Sequence, residues 1–202
     1  MHAFKQLENL ITDLPGIGPR QAKRIIYYLL GREPKYSFDL SEYIKNVRLE
    51  MRLCQETFSF FYPEEPNQKV SNIALDKTRE HDRVLVVETD NDLHNIERLN
   101  IWRGTYFVLG GTIPVHSKEY EKYIRYHDLQ RILSDKAAHN GLSEIILGTS
   151  THPAGENTAR VIADIASQID ITVSKLGRGL STGTTLEYID SKTFESALER
   201  RE

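Results

Sequence analysis

The sequence lacks the cysteines of a disulfide-stabilised protein, because its 202 residues include only one, Cys54. Such sparing use of cysteine is typical of proteins in a reducing compartment. No apolar run approaches the roughly 18 residues that span a bilayer. The segment Met1-His-Ala-Phe-Lys5 also lacks the apolar core of a signal peptide. These absences predict a soluble cytoplasmic protein.

An excess of positive charge is absent too, because 26 lysines and arginines stand against 29 aspartates and glutamates, for a net charge of −3. This balance excludes a cationic coat over the whole protein, so any contact with nucleic acid requires a local basic patch. In one such patch, between residues 19 and 35, Glu33 is the only acid among these cations: Arg20, Lys23, Arg24, Arg32 and Lys35.

The basic patch begins beside a glycine turn, Leu14-Pro-Gly-Ile-Gly18. An apolar helical run precedes the turn, and Pro19 suits the first position of a second helix, which is expected over 20–30. Gly16 and Gly18 permit positive φ and the close approach of another backbone. The pattern predicts either a nucleic-acid-binding turn between two helices or an ordinary helical hairpin with a glycine corner.

The start of the second helix favours the nucleic-acid interpretation. Its free N–H groups and its dipole attract a phosphate, and Arg20, Lys23 and Arg24 follow closely. This combination is typical of a helix-hairpin-helix, which holds nucleic acid through phosphates without reading bases. A third helix is expected over roughly 38–53. Three such helices bury only a small core, so we expect them to pack on another part of the chain or on a second subunit.

Residues 54–79 are rich in turns and poor in helix signals. They contain a group of aromatic residues: Phe58, Phe60, Phe61 and Tyr62. These form either a small core or a stacking platform for bases. The absence of Lys or Arg among them favours the core.

From residue 83 onward, strands alternate with helices, which predicts a parallel sheet covered on both faces. Strands are expected at 84–87, 106–109, 144–147 and 171–174, and helices over about 92–99, 118–139 and 155–167. Ligands in such sheets bind at the carboxyl ends of the strands, which are here Glu88, residues 110–111 and residues 148–156. A glycine-rich turn at 177–183 and a final helix follow.

A series of motifs runs along nearly the whole chain. It opens with Leu14-Pro-Gly-Ile-Gly-Pro-Arg20. The others are Val86-Val-Glu88, Ile96-Glu-Arg98, Arg103-Gly104, Tyr106-Phe-Val-Leu-Gly-Gly111, Glu144-Ile-Ile-Leu147, Gly155-Glu156, Thr158-Ala159, Arg178-Gly-Leu180 and Leu186-Glu187. In their order and spacing these motifs resemble those of the RecR family of bacterial recombination mediators.

The resemblance implies an α/β multi-domain protein. Its parts are a helix-hairpin-helix DNA-binding region (1–53), a degenerate zinc-finger-like module (54–79), a Toprim domain with a Rossmann-like parallel sheet (80–175) and a C-terminal segment (176–202). It further implies a non-enzymatic DNA-binding scaffold in recombinational DNA repair, associated with the nucleoid. RecO-like and RecF-like proteins are its implied partners in loading recombinase. A homo-oligomer is implied as well, a ring-shaped tetramer or a dimer, which binds single- and double-stranded DNA without sequence specificity. The family's DNA contacts fall on Arg20 and Arg24.

The zinc module is the first departure from the family pattern. Its ligand positions, two Cys-x-x-Cys pairs, fall here on Cys54, Thr57, Ser71 and Ala74. Because a structural zinc site needs four thiolate or imidazole ligands, we expect no zinc. Cys54 is then expected to be a buried remnant, with the four aromatic residues at 58–62 replacing the metal as the local core.

The Toprim site is the second departure. Catalytic Toprim enzymes hold Mg²⁺ with a glutamate after the first strand and two aspartates after the third. Glu88 supplies the glutamate, with Asp90 and Asp92 nearby, but Ser150 and His152 stand at the aspartate positions. This departure predicts a protein without catalysis or cofactor, with weak Mg²⁺ binding at Glu88 left open. The alternatives are a Mg²⁺-dependent Toprim nuclease or primase-like enzyme, and a scaffold that has kept only protein binding.

Two glutamates at the strand ends are candidates for partner binding. Glu156 aligns with an acidic position in the region by which the family meets RecO, or is a helix N-terminal acid stabilised by the dipole. Glu88 binds Mg²⁺ weakly, binds a partner, or accepts N–H bonds from a turn. His152 is expected to face the same cleft.

Overall fold

The structure, a computed structural model, describes residues 3–177 and divides into two compact units after Met51. Most of the predicted C-terminal segment 176–202, including its final helix, lies outside the described residues. The finer domain bounds within the second unit stay predictions. None of the helices in the described range is long and apolar enough to cross a membrane.

The first unit is a bundle of helices: α1 (Ala3–Thr12), α2 (Pro19–Leu30) and α3 (Pro34–Glu50). Its buried apolar core consists of Ile11, Ala22 and Ile26. No residue of α3 is buried, and side chains such as Phe38 and Ile44 are 72% and 64% exposed. A core of this size contributes little stability, as the sequence predicts.

Helix α3 begins and ends earlier than the predicted 38–53. Pro34 occupies its first turn, a position that suits proline and is a signal the sequence already contained. The helix ends at Glu50 because the chain then enters β1 (Arg52–Leu53), which pairs in antiparallel fashion with β2 (Phe60–Phe61). These two short strands were not predicted.

The second unit contains the predicted parallel sheet. Its strands are β3 (Glu80–Val87), β4 (Gly104–Val108), β5 (Glu144–Gly148) and β6 (Thr172–Lys175), in the spatial order β4-β3-β5-β6. Its helices are α4 (Asn72–Leu75), α5 (Asp90–Leu99), α6 (Tyr126–His139) and α7 (Pro153–Ser167), with a short 3₁₀ turn at Tyr120–Lys122. All pairings within this sheet are parallel, so the expected fold class is confirmed.

Alternate residues of β3 belong to two different hydrophobic clusters. Val84 and Val86 pack with residues of α6 and α7, whereas Leu85 and Val87 pack with Leu93 of α5. Successive side chains of a strand point to opposite faces. The sheet is therefore covered on both faces, as predicted.

The predicted helix over 118–139 is wrong in its first eight residues, because α6 begins only at Tyr126. The reason is a set of long-range hydrogen bonds at Arg125. Its backbone N–H donates to the carbonyl of Leu109 at 2.9 Å. Its guanidinium donates to the carbonyls of Phe58 and Val108, each at 2.7 Å. These bonds hold the chain before Tyr126 in a conformation that does not continue the helix.

The prediction that four aromatic residues form a local core is also wrong. Only Phe58 is buried, whereas Phe60 and Tyr62 are exposed and Phe61 is partly exposed. The ring of Phe58 lies 5.1 Å from that of Phe107, so it belongs to the main core of the second unit. Its φ of +55° is unusual for a bulky residue, and the bond from Arg125 to its carbonyl helps to hold it there.

Candidate functional site

The glycine turn between α1 and α2 is closed by a hydrogen bond from the N–H of Ile17 to the carbonyl of Leu14, at 3.1 Å. Pro15 and Gly16 are its central residues, and Gly16 has a φ of +78°. A type II turn requires positive φ at that position and favours proline before it. Gly18 has a φ of −90°, so only Gly16 uses the positive φ that both glycines permit.

Helix α2 begins at Pro19, directly after this turn. Gly18 is its N-cap residue, and no side chain caps the helix. The first N–H groups of a helix have no partner within the helix. Together with the positive end of the dipole they form an anion-binding position, which suits the phosphate predicted for this turn.

The three predicted cations of α2 are not equivalent. Arg20 and Arg24 are exposed, and among residues 3–177 neither has an acidic side chain at ion-pair distance. The Nζ atom of Lys23, by contrast, lies 3.7 Å from Oε1 of Glu8 on α1. The two arginines are therefore available to an external anion, whereas Lys23 has an internal partner.

Glu8 is a nearly buried acid that the sequence reasoning missed. Lys5 donates a hydrogen bond of 2.9 Å to its Oε2 atom. This bond, with the charge of Lys23, holds the pKa of Glu8 below its ordinary value, although burial opposes the shift. The spacing of Lys5 and Glu8 by three residues on one helix was the available signal.

A groove of about 370 Å³ lies along α2 beside Arg24. Its lining residues are Ile17, Gln21, Arg24, Ile25 and Tyr28. The guanidinium of Arg32 also stacks over the ring of Tyr28, at 4.7 Å from the ring centroid. The basic patch thus joins exposed cations to an exposed aromatic ring on one helix.

At the carboxyl end of the sheet, the acidic residues after β3 bind backbone N–H groups. Oε1 of Glu88 accepts the N–H of Ser150 at 2.6 Å, and Oδ1 of Asp90 accepts the N–H of Phe60 at 2.6 Å. Asp92 and Thr89 form a capping box at the start of α5. Of the three roles left open for Glu88, the structure shows acceptance of an N–H bond from a turn.

The loop after β5 carries the other residues predicted for this end of the sheet. His152 is the exposed N-cap residue of α7, and its side chain makes no capping bond. Glu156 lies in the first turn of α7, where Lys175 at the end of β6 approaches it at 3.1 Å. Within the described part of the chain, no three His, Cys, Asp or Glu side chains lie where they could hold a metal ion together.

Gly155 lets the start of α7 lie close to Ser150 and Glu88. A Cβ atom at this position would lie 2.3 Å from the carbonyl oxygen of Ser150 and 2.9 Å from Oε1 of Glu88. Both distances are too short for non-bonded atoms. The motif Gly155-Glu156 therefore reflects close packing between two strand-end loops.

The motif Ile96-Glu-Arg98 is structural as well. Arg79 donates two hydrogen bonds, of 3.0 and 2.6 Å, to the carboxylate of Glu97, and the hydroxyl of Tyr106 donates a third at 2.6 Å. Burial, aided by Glu97, raises the pKa of Tyr106 far above its ordinary value. This network joins α5 to β4 and keeps the tyrosine protonated.

The residues predicted to correspond to the family's zinc ligands, Cys54, Thr57, Ser71 and Ala74, lie in the second unit. Cys54 is fully buried, and its Sγ atom accepts the N–H of Thr57 at 3.4 Å and the N–H of Ser71 at 3.2 Å. Residues 54–59 and 69–75 therefore meet at one sulfur atom. We call these two loops, which the Sγ atom of Cys54 joins, the sulfur knuckle.

Comparison with known families matches residues 4–48 to the RecR helix-hairpin-helix and residues 82–177 to a Toprim domain. Proteins named recombination protein RecR are similar over nearly their whole length. That of Tropheryma whipplei (strain Twist) is 36% identical, over 97% of this chain and 96% of its own. The protein of Dehalococcoides mccartyi is 30% identical, over 99% of this chain and 94% of its own. The protein of Chloroflexus aurantiacus is 34% identical, over 94% of this chain and 89% of its own.

This chain belongs to the RecR family. The resemblance seen in the motifs is confirmed. The RecR helix-hairpin-helix match includes the glycine turn with Arg20 and Arg24, and the Toprim match includes Glu88 and Glu156. The sulfur knuckle lies between the two matched segments.

Proposed function

We propose that this RecR-family chain is a non-enzymatic DNA-binding scaffold in recombinational DNA repair. It acts in the cytoplasm, at the nucleoid, with RecO-like and RecF-like proteins that help load recombinase on DNA. The observation that carries the proposal is the uncapped start of α2 beside two arginines that lack an acidic partner among the described residues.

In this proposal the hairpin holds the phosphates of single- or double-stranded DNA. The backbone from Gly16 to Gly18 approaches one phosphate closely, and Arg20 and Arg24 neutralise its neighbours. Lys23 contributes less, because Glu8 already holds its ammonium group. Contacts of this kind carry no sequence information, so binding is not sequence-specific.

One hairpin neutralises only a few phosphates, so the scaffold acts as a homo-oligomer, a ring-shaped tetramer or a dimer. Several linked hairpins raise the effective concentration at which each meets the same DNA. The exposed apolar side of α3 supports self-association. It lines an apolar groove of about 350 Å³ with residues that include Leu7, Leu40 and Ile44.

The carboxyl end of the sheet serves protein contacts in this proposal. Glu156, which is partly exposed, and Glu88 are the acidic residues proposed to meet a RecO-like partner. Catalysis by Mg²⁺ is not part of the function. Ser150 and His152 supply neither of the carboxylates that such a site needs, and weak Mg²⁺ binding at Glu88 would compete with the N–H of Ser150. We expect DNA to remain intact when it is incubated with the protein and Mg²⁺.

Fluorescence anisotropy of labelled DNA, measured over a salt series, tests the DNA contacts. We expect the Arg20→Ala/Arg24→Ala variant to bind about tenfold more weakly or worse than the natural chain. The negative slope of log affinity against log salt should become shallower by about 1.8 for each hairpin bound to duplex DNA. This corresponds to about 0.9 for each of the two lost phosphate contacts.

The matched control is Lys77→Ala/Lys118→Ala, which removes the same charge from exposed positions of the second unit. The control should keep both the affinity and the slope. Equal losses in the two double variants would reduce the effect to net charge, and full binding by the arginine variant would contradict the proposed clamp.

A further inference from the structure

The family's zinc does not fit the residues of the sulfur knuckle. Its four ligand positions offer the thiol of Cys54, the hydroxyls of Thr57 and Ser71, and the methyl group of Ala74. Structural zinc sites use four thiolate or imidazole ligands. The hydroxyl of Thr57 is also engaged, because it lies 2.8 Å from that of Ser59.

The knuckle keeps its shape through backbone hydrogen bonds. In the first loop, the N–H of Phe58 donates to the carbonyl of Cys54 at 3.1 Å, and the N–H of Cys54 to that of Ser59 at 2.9 Å. In the second loop, the N–H of Ala74 donates to the carbonyl of Ser71 at 3.0 Å. Each loop therefore forms a turn that spans its pair of former ligand positions.

The Sγ atom of Cys54 joins the two turns to each other. It accepts one N–H from each loop, from Thr57 at 3.4 Å and from Ser71 at 3.2 Å. Gln55 adds a backbone bond of 3.0 Å to the carbonyl of Lys69. A metal ion would join the same loops through four sulfur atoms, whereas here one sulfur atom does so by accepting hydrogen bonds.

The first loop is also attached to the sheet. Val108 donates its N–H to the carbonyl of Thr57 at 2.8 Å, and Arg125 donates to the carbonyl of Phe58 at 2.7 Å. The buried ring of Phe58 packs on Phe107. These contacts provide the stability that a small loop without a metal lacks.

We propose that the sulfur atom of Cys54 has replaced zinc as the centre of the knuckle, and that this chain folds without a metal. One further observation agrees with this. Burial raises the pKa of the Cys54 thiol, but hydrogen bonds from Ser71 and Thr57 together lower it more, so it lies below its ordinary value.

The natural chain gives the first test, which needs no variant. We expect the protein, produced in zinc-supplemented medium, to contain far less than one zinc per chain. Its melting temperature should not change when a zinc chelator is added. Stoichiometric zinc, or a melting temperature that falls with the chelator, overturns the proposal.

Substitution of Cys54 tests the role of the sulfur atom. Cys54→Ala leaves two buried N–H groups without an acceptor and should lower the melting temperature of the second unit by about 5–10 °C. Cys54→Ser keeps an acceptor of nearly the same size, so it should recover part of the loss. An unchanged melting temperature in Cys54→Ala, or equal losses in the two variants, contradicts the assigned role.

Restoring cysteine at the three other ligand positions tests whether all four positions surround one centre. The full chain with Thr57→Cys, Ser71→Cys and Ala74→Cys is expected to bind one zinc ion and to melt at a temperature that now depends on the chelator. Adding Cys54→Ser to this variant should remove that dependence. A folded triple variant that takes up no zinc overturns the assignment of these four positions to one centre.

Discussion

The two units of the chain use their apolar residues in different ways. In the first unit the buried apolar core consists of Ile11, Ala22 and Ile26, and α3 contributes nothing to it. In the second unit both faces of the sheet carry buried clusters, and every residue of β4 is buried. The second unit therefore contains the core that it needs to fold, whereas the first leaves much of its apolar surface for contacts outside itself.

The largest expected effect concerns the core of the second unit. Phe107 is fully buried against Phe58. Phe107→Ala should therefore lower the free energy of unfolding by about 3–5 kcal/mol. Urea unfolding followed by the fluorescence of Trp102, the only tryptophan, reports this unit.

The midpoint should not depend on protein concentration if the second unit folds by itself. Tyr62→Ala, at an exposed aromatic residue, is the control and should cost less than about 0.5 kcal/mol. A loss below about 1 kcal/mol for Phe107→Ala would remove the contrast between the units.

The next effect concerns the exposed side of α3. Ile44→Asp places a charge on the apolar groove and should weaken self-association about 100-fold, which corresponds to about 2.7 kcal/mol. Sedimentation velocity over a concentration series measures this change. Asn46→Asp adds the same charge on another side of α3 and should leave association nearly unchanged. Unaltered association in Ile44→Asp would show that this groove is not where copies meet.

The smallest effect concerns the ion pairs of the first unit. The folded state lowers the pKa of Glu8, so its carboxylate stabilises the first unit at pH values above the ordinary carboxyl pKa. This stabilisation is lost as the pH falls through the lowered pKa. Hydrogen exchange of the α1 and α2 amides should show less protection in Glu8→Gln than in the natural chain at pH 6. The two should converge once the pH falls below the lowered pKa of Glu8. A difference that persists at low pH would assign the effect to packing.

The predictable parts of the structure are those that local sequence determines. The glycine turn, the start of α2 at Pro19 and the alternation of strands and helices follow from residue types at fixed spacing. The start of α3 at Pro34 was also within reach of such reasoning.

The parts that were missed depend on residues far apart in the chain. The break before α6 is caused by Arg125 and its bonds to Phe58 and Val108. The unequal roles of Arg20 and Lys23 depend on Glu8, which lies on the preceding helix. No local pattern contains these pairs, so sequence reasoning found the cations of the hairpin but not which of them are available.

The absence of buried residues in α3 also bears on how abundant the protein must be. If its apolar side is covered only by another copy, folding of the first unit and assembly are one equilibrium, and its stability rises with the amount of chain present. A cell that makes too little of the protein would then hold chains whose second unit is intact but whose first unit is only marginally stable. DNA binding would thus require the chain to exceed a threshold concentration in the cell, and gene dosage would decide whether that concentration is reached.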